Sequence, residues 1–418
     1  MNATATLDAD YRFDPADPDL IRHPYRPYYE YLRGLPGLHK AATEYYVASR
    51  YADVREVITN HAAFGQGNFV HNIQLYYGPE FDVMAHSSYR WLSEVFVMQD
   101  PPAHTRLRKL VAFALTPKRV AAMQPRIQQI VDGLLDAMLA KGEIELLWDF
   151  AYQLPTLVMC DMLGLEGDER SPASLARLTR AVAESFIVFE TRALEPELLA
   201  QADAQMDFLN DFFGRIYDRK RANPRDDLTS ALVQATDEDG SALTRAEVAN
   251  VIVAMFGAGF ETTAHMIGNG MLALHRAPGQ WQALVANPEE IAPRAVDEVL
   301  RFESWLQGTY RTALQPAVVG GFSVKPGERV LCLLGAANRD PTVFERADVM
   351  DVTRKDSRML SFGGGIHHCI GQQLARLEGR VAFTSLARRL PHIEVDVEHA
   401  VWRAGFLFRG LTELRCRA

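Results

Sequence analysis

The sequence has few of the features that mark secreted or membrane-spanning proteins. It holds four cysteines in 418 residues, far apart and without a CxxC pair, so neither a disulfide framework nor a zinc ribbon is expected. No run of about 18 apolar residues is present, which predicts no membrane insertion. The first residues show no basic segment followed by an apolar one, so no secretory signal is expected. Together these absences predict a cytoplasmic location.

Basic residues are outnumbered by acidic ones. Lys+Arg 44 against Asp+Glu 53 gives a net charge of −9, so no nucleic-acid partner is expected. Length alone suggests two or three domains at about 150 residues each. However, no repeat, low-complexity block or linker-like boundary interrupts the sequence. We therefore predict a single domain over residues 1–418. We also expect a monomer.

Hydrophobic periodicity predicts the fold class. Helical periodicity dominates residues 104–221 and 244–301, while residues 64–98 are irregular and rich in aromatics. A strand followed by a helix is predicted over residues 46–58. Further β-character is confined to four short stretches: 311–324, 330–334, 393–397 and 406–417. The chain is predicted to be mainly α with small β-sheets, an α+β class.

The most informative segment is SFGGGIHHCIG, residues 361–371. Its glycines allow close approach of a flat ligand. The helical pattern after Cys369 places this sulfur near a helix start, where the dipole favours the thiolate that a soft or borderline metal needs. A plain glycine-rich turn with a buried cysteine is the alternative. A zinc site lacks a fourth ligand at suitable spacing, and a dinucleotide-binding GxGxxG fingerprint is missing.

This segment resembles the haem-binding loop of the cytochrome P-450 superfamily, FGxGxHxCxG in its bacterial form. The matching residues are Phe362, Gly363, Gly365, His367, Cys369 and Gly371. The resemblance implies a haem b whose iron takes Cys369 as its axial thiolate, a ligand that favours O–O bond cleavage. It also implies that Phe362 packs beside the sulfur and that His367 reaches a haem propionate. The implied fold is the single-domain cytochrome P-450 fold, with the haem between a long central helix and the helix after the cysteine.

A second motif is Glu298-Val299-Leu300-Arg301. Residues three apart share a helix face, so the glutamate and arginine can form one ion pair. Such a pair alone is more often a solvated surface feature. Here it resembles the buried Glu–Arg pair of the superfamily, which a downstream arginine completes. Arg339 and Arg346 are the candidates, and the resemblance favours Arg346.

The third motif, AGFETT at residues 258–263, lies inside a helix that begins with Thr244 and Glu247 as a capping box. Each mid-helix glycine costs roughly 1 kcal/mol relative to alanine, so this helix is locally weak. Close helix packing on the glycines is one reading. The other is the resemblance to the superfamily's AGx(D/E)T motif, in which the acid and the first threonine flank an opened helix turn and relay protons to iron-bound dioxygen. The resemblance implies such a turn here, with these roles for Glu261 and Thr262.

Three further residues resemble the superfamily's ligands of haem propionates. His104 and Arg108 lie four residues apart in DPPAHTRLR, which places them on one helix face. Arg311 lies ten residues after Arg301. A guanidinium can contact a carboxylate through two N–H groups, which suits an arginine to this role. The alternatives are an ordinary basic helix start and an ordinary exposed strand arginine.

The resemblance implies a monooxygenase that inserts one atom of O2 into a C–H bond of a small apolar organic substrate, such as a secondary metabolite. It implies electrons from NAD(P)H through a ferredoxin reductase and a ferredoxin. Trp305 stands where many relatives carry smaller residues, so we expect a narrowed pocket. The expected pocket residues are Trp91, Ala254, Ala258, Trp305, Leu306 and Phe406.

Two other functions fit a haem-thiolate protein. A peroxide-driven peroxygenase generally lacks the acid–alcohol pair that Glu261 and Thr262 supply. A non-catalytic haem-binding module is expected to have lost the cysteine, and Cys369 is present. The monooxygenase is therefore favoured.

Overall fold

A computed structural model describes residues 7, 11–42, 45–141, 143–190, 192–236, 240, 242–356 and 358–417. The chain forms two compact units. The first unit contains Met1–Gly67, Val131–Gln153 and Thr262–Ala418, and the second contains Asn68–Ile130 and Leu154–Glu261. The single domain expected over residues 1–418 stays a prediction.

Helices make up most of the described chain, which confirms the predicted fold class. They are α1 (Pro18–Arg22), α2 (Glu30–Gly34), α3 (Tyr51–Thr59), α4 (Phe69–Tyr77), α5 (Ser87–Glu94), α6 (Ala103–Ala114), α7 (Pro117–Ala122), α8 (Gln124–Leu139), α9 (Gln153–Leu163), α10 (Pro172–Ser185), α11 (Pro196–Ala222), α12 (Leu228–Gln234), α13 (Arg245–Arg276), α14 (Gln280–Ala286), α15 (Pro288–Phe302), α16 (Leu334–Ala337) and α17 (Gln372–Arg389).

The named strands all belong to the first unit. They are β1 (His39–Lys40), β2 (Tyr45–Ala48), β3 (Phe64–Gly65), β4 (Glu143–Glu145), β5 (Gly308–Ala313), β6 (Ala317–Val319), β7 (Phe322–Val324), β8 (Arg329–Leu333), β9 (Glu394–Val395), β10 (Val401–Trp402), β11 (Leu411–Glu413) and β12 (Arg415–Arg417). The largest sheet has the order β1-β2-β8-β5-β3, in which only β2 and β8 pair in parallel. The strand-then-helix prediction over residues 46–58 is confirmed by β2 and α3.

Helix α13 is capped as its sequence predicts. The Thr244 hydroxyl oxygen accepts from the Glu247 amide at 3.2 Å, and the Glu247 carboxylate accepts from the Thr244 amide at 2.8 Å. The helix continues without interruption through the glycine-containing turn at residues 257–263. Its length and composition would suffice to cross a bilayer, and 78% of its most apolar 18-residue window is buried in the structure.

Glycines let α13 pack closely within each unit. In the second unit, a Cβ at Gly257 would lie 2.3 Å from the Phe186 ring, and one at Gly259 would lie 2.5 Å from the Met159 sulfur. In the first unit, a Cβ at Gly270 would lie 2.6 Å from the Phe383 ring. The structure therefore shows that these glycines serve close packing. The described helix contains no opened turn.

We predict that Gly270→Ala destabilises the protein by about 1–3 kcal/mol, because the added methyl overpacks the contact with Phe383 and Val299. The matched control is Gly133→Ala in α8, where a Cβ meets nothing within 4 Å. It should stabilise the protein by about 0.5–1 kcal/mol through helix propensity alone. Urea denaturation followed by circular dichroism measures both changes. Equal effects at the two positions would contradict the packing argument.

Candidate functional site

The cysteine loop, residues 361–371, passes twice through left-handed backbone. Gly363 has φ +70° and Gly365 has φ +61°, a region that side chains with a Cβ rarely adopt. A Cβ at Gly365 would also lie 2.7 Å from the Ile58 carbonyl oxygen of α3. The loop can therefore reach this position against α3 only with glycine.

Cys369 lies just before the start of α17. Its amide donates to the Phe362 carbonyl oxygen at 2.8 Å, which closes the loop. Gly371 directly precedes the helix, whose first residue is Gln372, as the sequence predicts. The free N–H groups and the dipole at such a helix start favour a negative charge, so the position suits a thiolate.

Cys369 differs from the other cysteines in its exposure. Cys160, Cys332 and Cys416 are buried, and burial raises the pKa of each thiol to about 12. They are therefore protonated and inert near neutral pH. Cys369 is partly exposed, so burial does not set it apart from solvent as it does the other three.

Arg376 supports the cysteine loop and was not identified from the sequence. Its guanidinium carbon lies 4.6 Å from the centre of the Phe362 ring, within cation–π distance. Its Nε donates to the Asp297 carboxylate at 2.7 Å. The charge pair thus holds Arg376 over the Phe362 ring, whose packing beside the sulfur stays a prediction of the resemblance.

The Glu298–Arg301 pair is buried and bidentate. Arg301 Nε donates to Glu298 Oε2 at 2.8 Å, and Nη2 donates to Oε1 at 2.7 Å. Each side chain is 1% exposed, so a solvated surface pair is ruled out. Arg301 also donates to the Ala347 carbonyl oxygen at 2.7 Å. The pair therefore connects α15 to the irregular segment after α16.

The third member of this network is Arg354, and the prediction of Arg346 is wrong. Arg354 Nε donates to Glu298 Oε2 at 3.0 Å. The Arg346 side chain pairs with Asp351 instead and is 60% exposed. Arg346 has φ +48°, so the backbone turns there and the residue contributes its carbonyl oxygen, which accepts from Arg354 at 3.2 Å. Arg339, the other candidate, donates to the Phe302 carbonyl oxygen at 2.6 Å.

The centre of α13 leaves one helix face open. Ala254 and Thr262 are half-buried and Ala258 is exposed, although most of the helix is buried. These residues recur every four positions and so share one face. Glu261 lies next to this face and is 4% exposed.

The predicted propionate ligands belong to both units. His104 and Arg108 lie on α6 in the second unit, where His104 is 2% exposed and Arg108 is half-buried. Nearby, Arg106 donates to Glu247 at 2.6 Å and ties α6 to the start of α13. In the first unit Arg311 lies on β5 and is 6% exposed, so it is not an exposed strand arginine.

Three of the four large predicted pocket residues are buried among side chains of their own units, and the fourth is half-buried. Trp91 stacks on Phe186 with 5.2 Å between ring centres, and Phe406 meets Phe13 edge-on at 5.2 Å. Trp305 is 7% exposed. Leu306 is half-buried and forms a β-bridge with Phe408. Their assignment to a substrate pocket stays a prediction.

Several known proteins are similar to this chain in sequence. A family model described as cytochrome P450 matches residues 68–399. The chain is 34% identical over 403 residues to putative cytochrome P450 133B2 of Xylella fastidiosa, covering 96% of this chain and 98% of that relative. It is 39% identical over 331 residues to the cytochrome P450 monooxygenase PikC of Streptomyces venezuelae, covering 78% and 76%. It is 37% identical over 320 residues to 6-deoxyerythronolide B hydroxylase of Saccharopolyspora erythraea, covering 76% of each.

A solved structure shares the fold. The crystal structure of P450BioI in complex with hexadec-9Z-enoic acid ligated acyl carrier protein matches with a TM-score of 0.86. The two chains are 29% identical, and the match covers 96% of this chain and 100% of that one.

Proposed function

Because this chain belongs to the cytochrome P450 family of haem-thiolate monooxygenases, we propose that it hydroxylates or otherwise oxidises a small apolar organic substrate. The reaction inserts one atom of O2 into a C–H bond and releases the other as water. We further propose electrons from NAD(P)H through a ferredoxin reductase and a ferredoxin, with the protein acting as a cytoplasmic monomer in one domain.

The observation that carries the proposal is the environment of Cys369. It is a partly exposed cysteine, it precedes an 18-residue helix, and its loop is built on glycines. Gly371 stands between Cys369 and the first residue of that helix and places no side chain beside the sulfur. The chemistry and space at this loop fit a thiolate-ligated haem b.

The other predicted residues match the charges of such a group. Its propionates are carboxylates, and the residues proposed to hold them, His104, Arg108, Arg311 and His367, are hydrogen-bond donors or cations. Haem iron with a thiolate ligand supplies the oxygen-activating chemistry when bound. The protein supplies the thiolate, the propionate contacts and the position of the substrate.

Glu261 and Thr262 are the proposed proton-delivery residues. Thr262 is half-buried on the open face of α13 and carries a hydroxyl that can both accept and donate. Glu261 is 4% exposed and precedes Thr262 on α13, and its place in the same relay rests on the resemblance of AGFETT to the family motif.

The predicted pocket residues and the relatives support the proposed substrate class. Large apolar side chains make up most of the predicted pocket: Trp91, Trp305, Leu306 and Phe406. The small side chains of Ala254 and Ala258 on α13 would leave room beside them, and such a lining suits an apolar ligand. One relative is named for hydroxylating 6-deoxyerythronolide B, and one structural neighbour holds an acyl group on a carrier protein. We therefore propose a secondary metabolite, either free or bound to a carrier protein.

Reconstitution tests the proposal. The purified protein is supplied with NADPH, a ferredoxin and its reductase, and screened with apolar metabolites and their carrier-protein thioesters by product mass. The proposal expects a product 16 Da heavier whose oxygen comes from 18O2. Turnover with hydrogen peroxide alone, and none with the electron-transfer chain, would support the peroxygenase instead.

We predict that Thr262→Ala separates NADPH oxidation from product formation. Product should fall by roughly 10²-fold, the smaller end of what a positioned proton donor contributes, while NADPH is still consumed and peroxide accumulates. The matched control is Thr263→Ala, the next residue of α13, which is 3% exposed and points away from the open face. A Thr262 variant with unchanged product per NADPH would exclude the proposed role.

A further inference from the structure

A fully buried histidine stacks on Trp305 in the first unit. The centre of the His265 ring lies 4.8 Å from that of the Trp305 ring at an interplanar angle of 22°, and the Phe408 ring stacks on Trp305 at 4.7 Å and 18°. His265 is on α13, three residues after Thr262, so the two residues share a helix face. The indole is therefore held against two near-parallel rings.

The His265 ring is itself held in place. Its Nε2 lies 3.1 Å from Arg403 Nη1 and 3.1 Å from the Tyr152 hydroxyl oxygen. A guanidinium can only donate, so Nε2 is an acceptor and bears no proton. Burial, and then the charge of Arg403, lower the pKa of His265 well below the ordinary histidine value. The ring is therefore neutral.

Gly410 makes room for this ring. A Cβ at Gly410 would lie 2.0 Å from His265 Nδ1, so any other residue would displace the imidazole. The two segments beside the stack are joined by backbone hydrogen bonds. The Arg409 amide donates to the Trp305 carbonyl oxygen at 2.7 Å, and the Gln307 amide donates to the Leu407 carbonyl oxygen at 2.9 Å.

We infer that His265 is a positioning residue that sets the ligand size accepted by the substrate site, because it holds Trp305 against Phe408. The inference rests on the proposed function, which places Trp305 and Leu306 at that site. His265 supplies the flat face that keeps the indole from swinging. Without it, Trp305 and the chain that follows can move, and larger ligands enter.

The experiment uses the holoenzyme and three azoles of increasing size: imidazole, 4-phenylimidazole and clotrimazole. Their dissociation constants are measured by titration of the haem absorption spectrum. The variants are His265→Leu, which fills the space without a flat ring, His265→Phe, which keeps the ring, and Trp305→Leu, which breaks the same stack from the other side.

The matched control is His275→Leu. His275 lies on the same helix and stacks on Trp281 with 4.9 Å between ring centres at 30°, but it bonds to the Met271 and Ile393 carbonyl oxygens instead of contacting Trp305. The His275→Leu variant shows how the loss of a histidine stack away from Trp305 changes the azole affinities.

In His265→Leu the affinity for clotrimazole relative to imidazole should rise by about tenfold. This factor corresponds to the free energy of one aromatic contact, which no longer holds Trp305 in place. Trp305→Leu should change this affinity ratio by the same factor, and the double variant of His265→Leu with Trp305→Leu should change it no further. His265→Phe should keep the wild-type ratio. Hydrogen exchange at the Gln307 and Arg409 amides should also accelerate in His265→Leu and stay unchanged in His275→Leu.

The inference would be overturned if the clotrimazole-to-imidazole affinity ratio were unchanged in His265→Leu or changed equally in His275→Leu. It would also be overturned if the effects were additive in the double variant, or if the ratio in His265→Phe differed from that of the wild type. Wild-type protein must first show the carbon monoxide band of a thiolate-ligated haem. Absence of that band would overturn the proposed function itself, whereas its presence with an unchanged ratio overturns only the role of His265.

Discussion

Cys369→Ser should abolish NADPH-dependent substrate oxidation. The serine hydroxyl stays protonated where the cysteine position favours a thiolate, so the electron donation that assists O–O cleavage is lost. Product formation per bound haem, measured by mass spectrometry, is expected to fall below detection. The propionate contacts proposed for His104, Arg108, Arg311 and His367 lie elsewhere and should still retain haem.

Cys416→Ser is the matched control. Cys416 is buried, and its sulfur lies 3.8 Å from the Leu414 carbonyl oxygen, to which a serine hydroxyl can donate. Turnover per haem should match that of the wild type. Product formation that survives Cys369→Ser, or is lost equally in both variants, would mean that Cys369 does not have the proposed role.

Glu298→Gln should lower the free energy of unfolding by about 3–5 kcal/mol, because it leaves the buried Arg301 without its counter-charge. Arg301 and Glu298 are each 1% exposed and Arg354 is 9% exposed, so water cannot replace the lost carboxylate. Denaturation by urea, followed by far-ultraviolet circular dichroism, measures the change. Purified variant protein is also expected to contain less haem.

The control lies on the same helix. Glu290 pairs with Arg294 at 3.5 Å, with side chains 57% and 35% exposed, and Glu290→Gln should cost less than about 1 kcal/mol. The arginines offer a second comparison. Arg354→Gln should lower the free energy of unfolding strongly, whereas Arg346→Gln should lower it only slightly. Similar losses in Glu298→Gln and Glu290→Gln would contradict the account of the buried network.

The sequence predicts best what adjacent residues determine. The Glu298–Arg301 pair depends on a spacing of three along one helix, and the Thr244–Glu247 cap depends on the same spacing, so local sequence alone is enough to predict both. The position of Cys369 before a helix follows from local glycines and helical periodicity. The structure confirms each of these features.

Contacts between distant segments could not be predicted in this way. Arg354 lies 56 positions from Glu298. The backbone of Arg346 has a left-handed conformation, which the residue type does not predict, and its side chain does not reach Glu298. His265 and Trp305 are 40 positions apart, and no spacing rule links them. Their stack depends on the room that Gly410 leaves, which only the folded chain shows.

The most direct test is the absorption spectrum of the dithionite-reduced wild-type protein with and without carbon monoxide. A thiolate from Cys369 predicts a strongly red-shifted Soret band that persists in Cys416→Ser and is lost in Cys369→Ser. Bound haem without that shift in the wild type, or no haem after haem-replete expression, would contradict the assignment of Cys369 as the axial ligand.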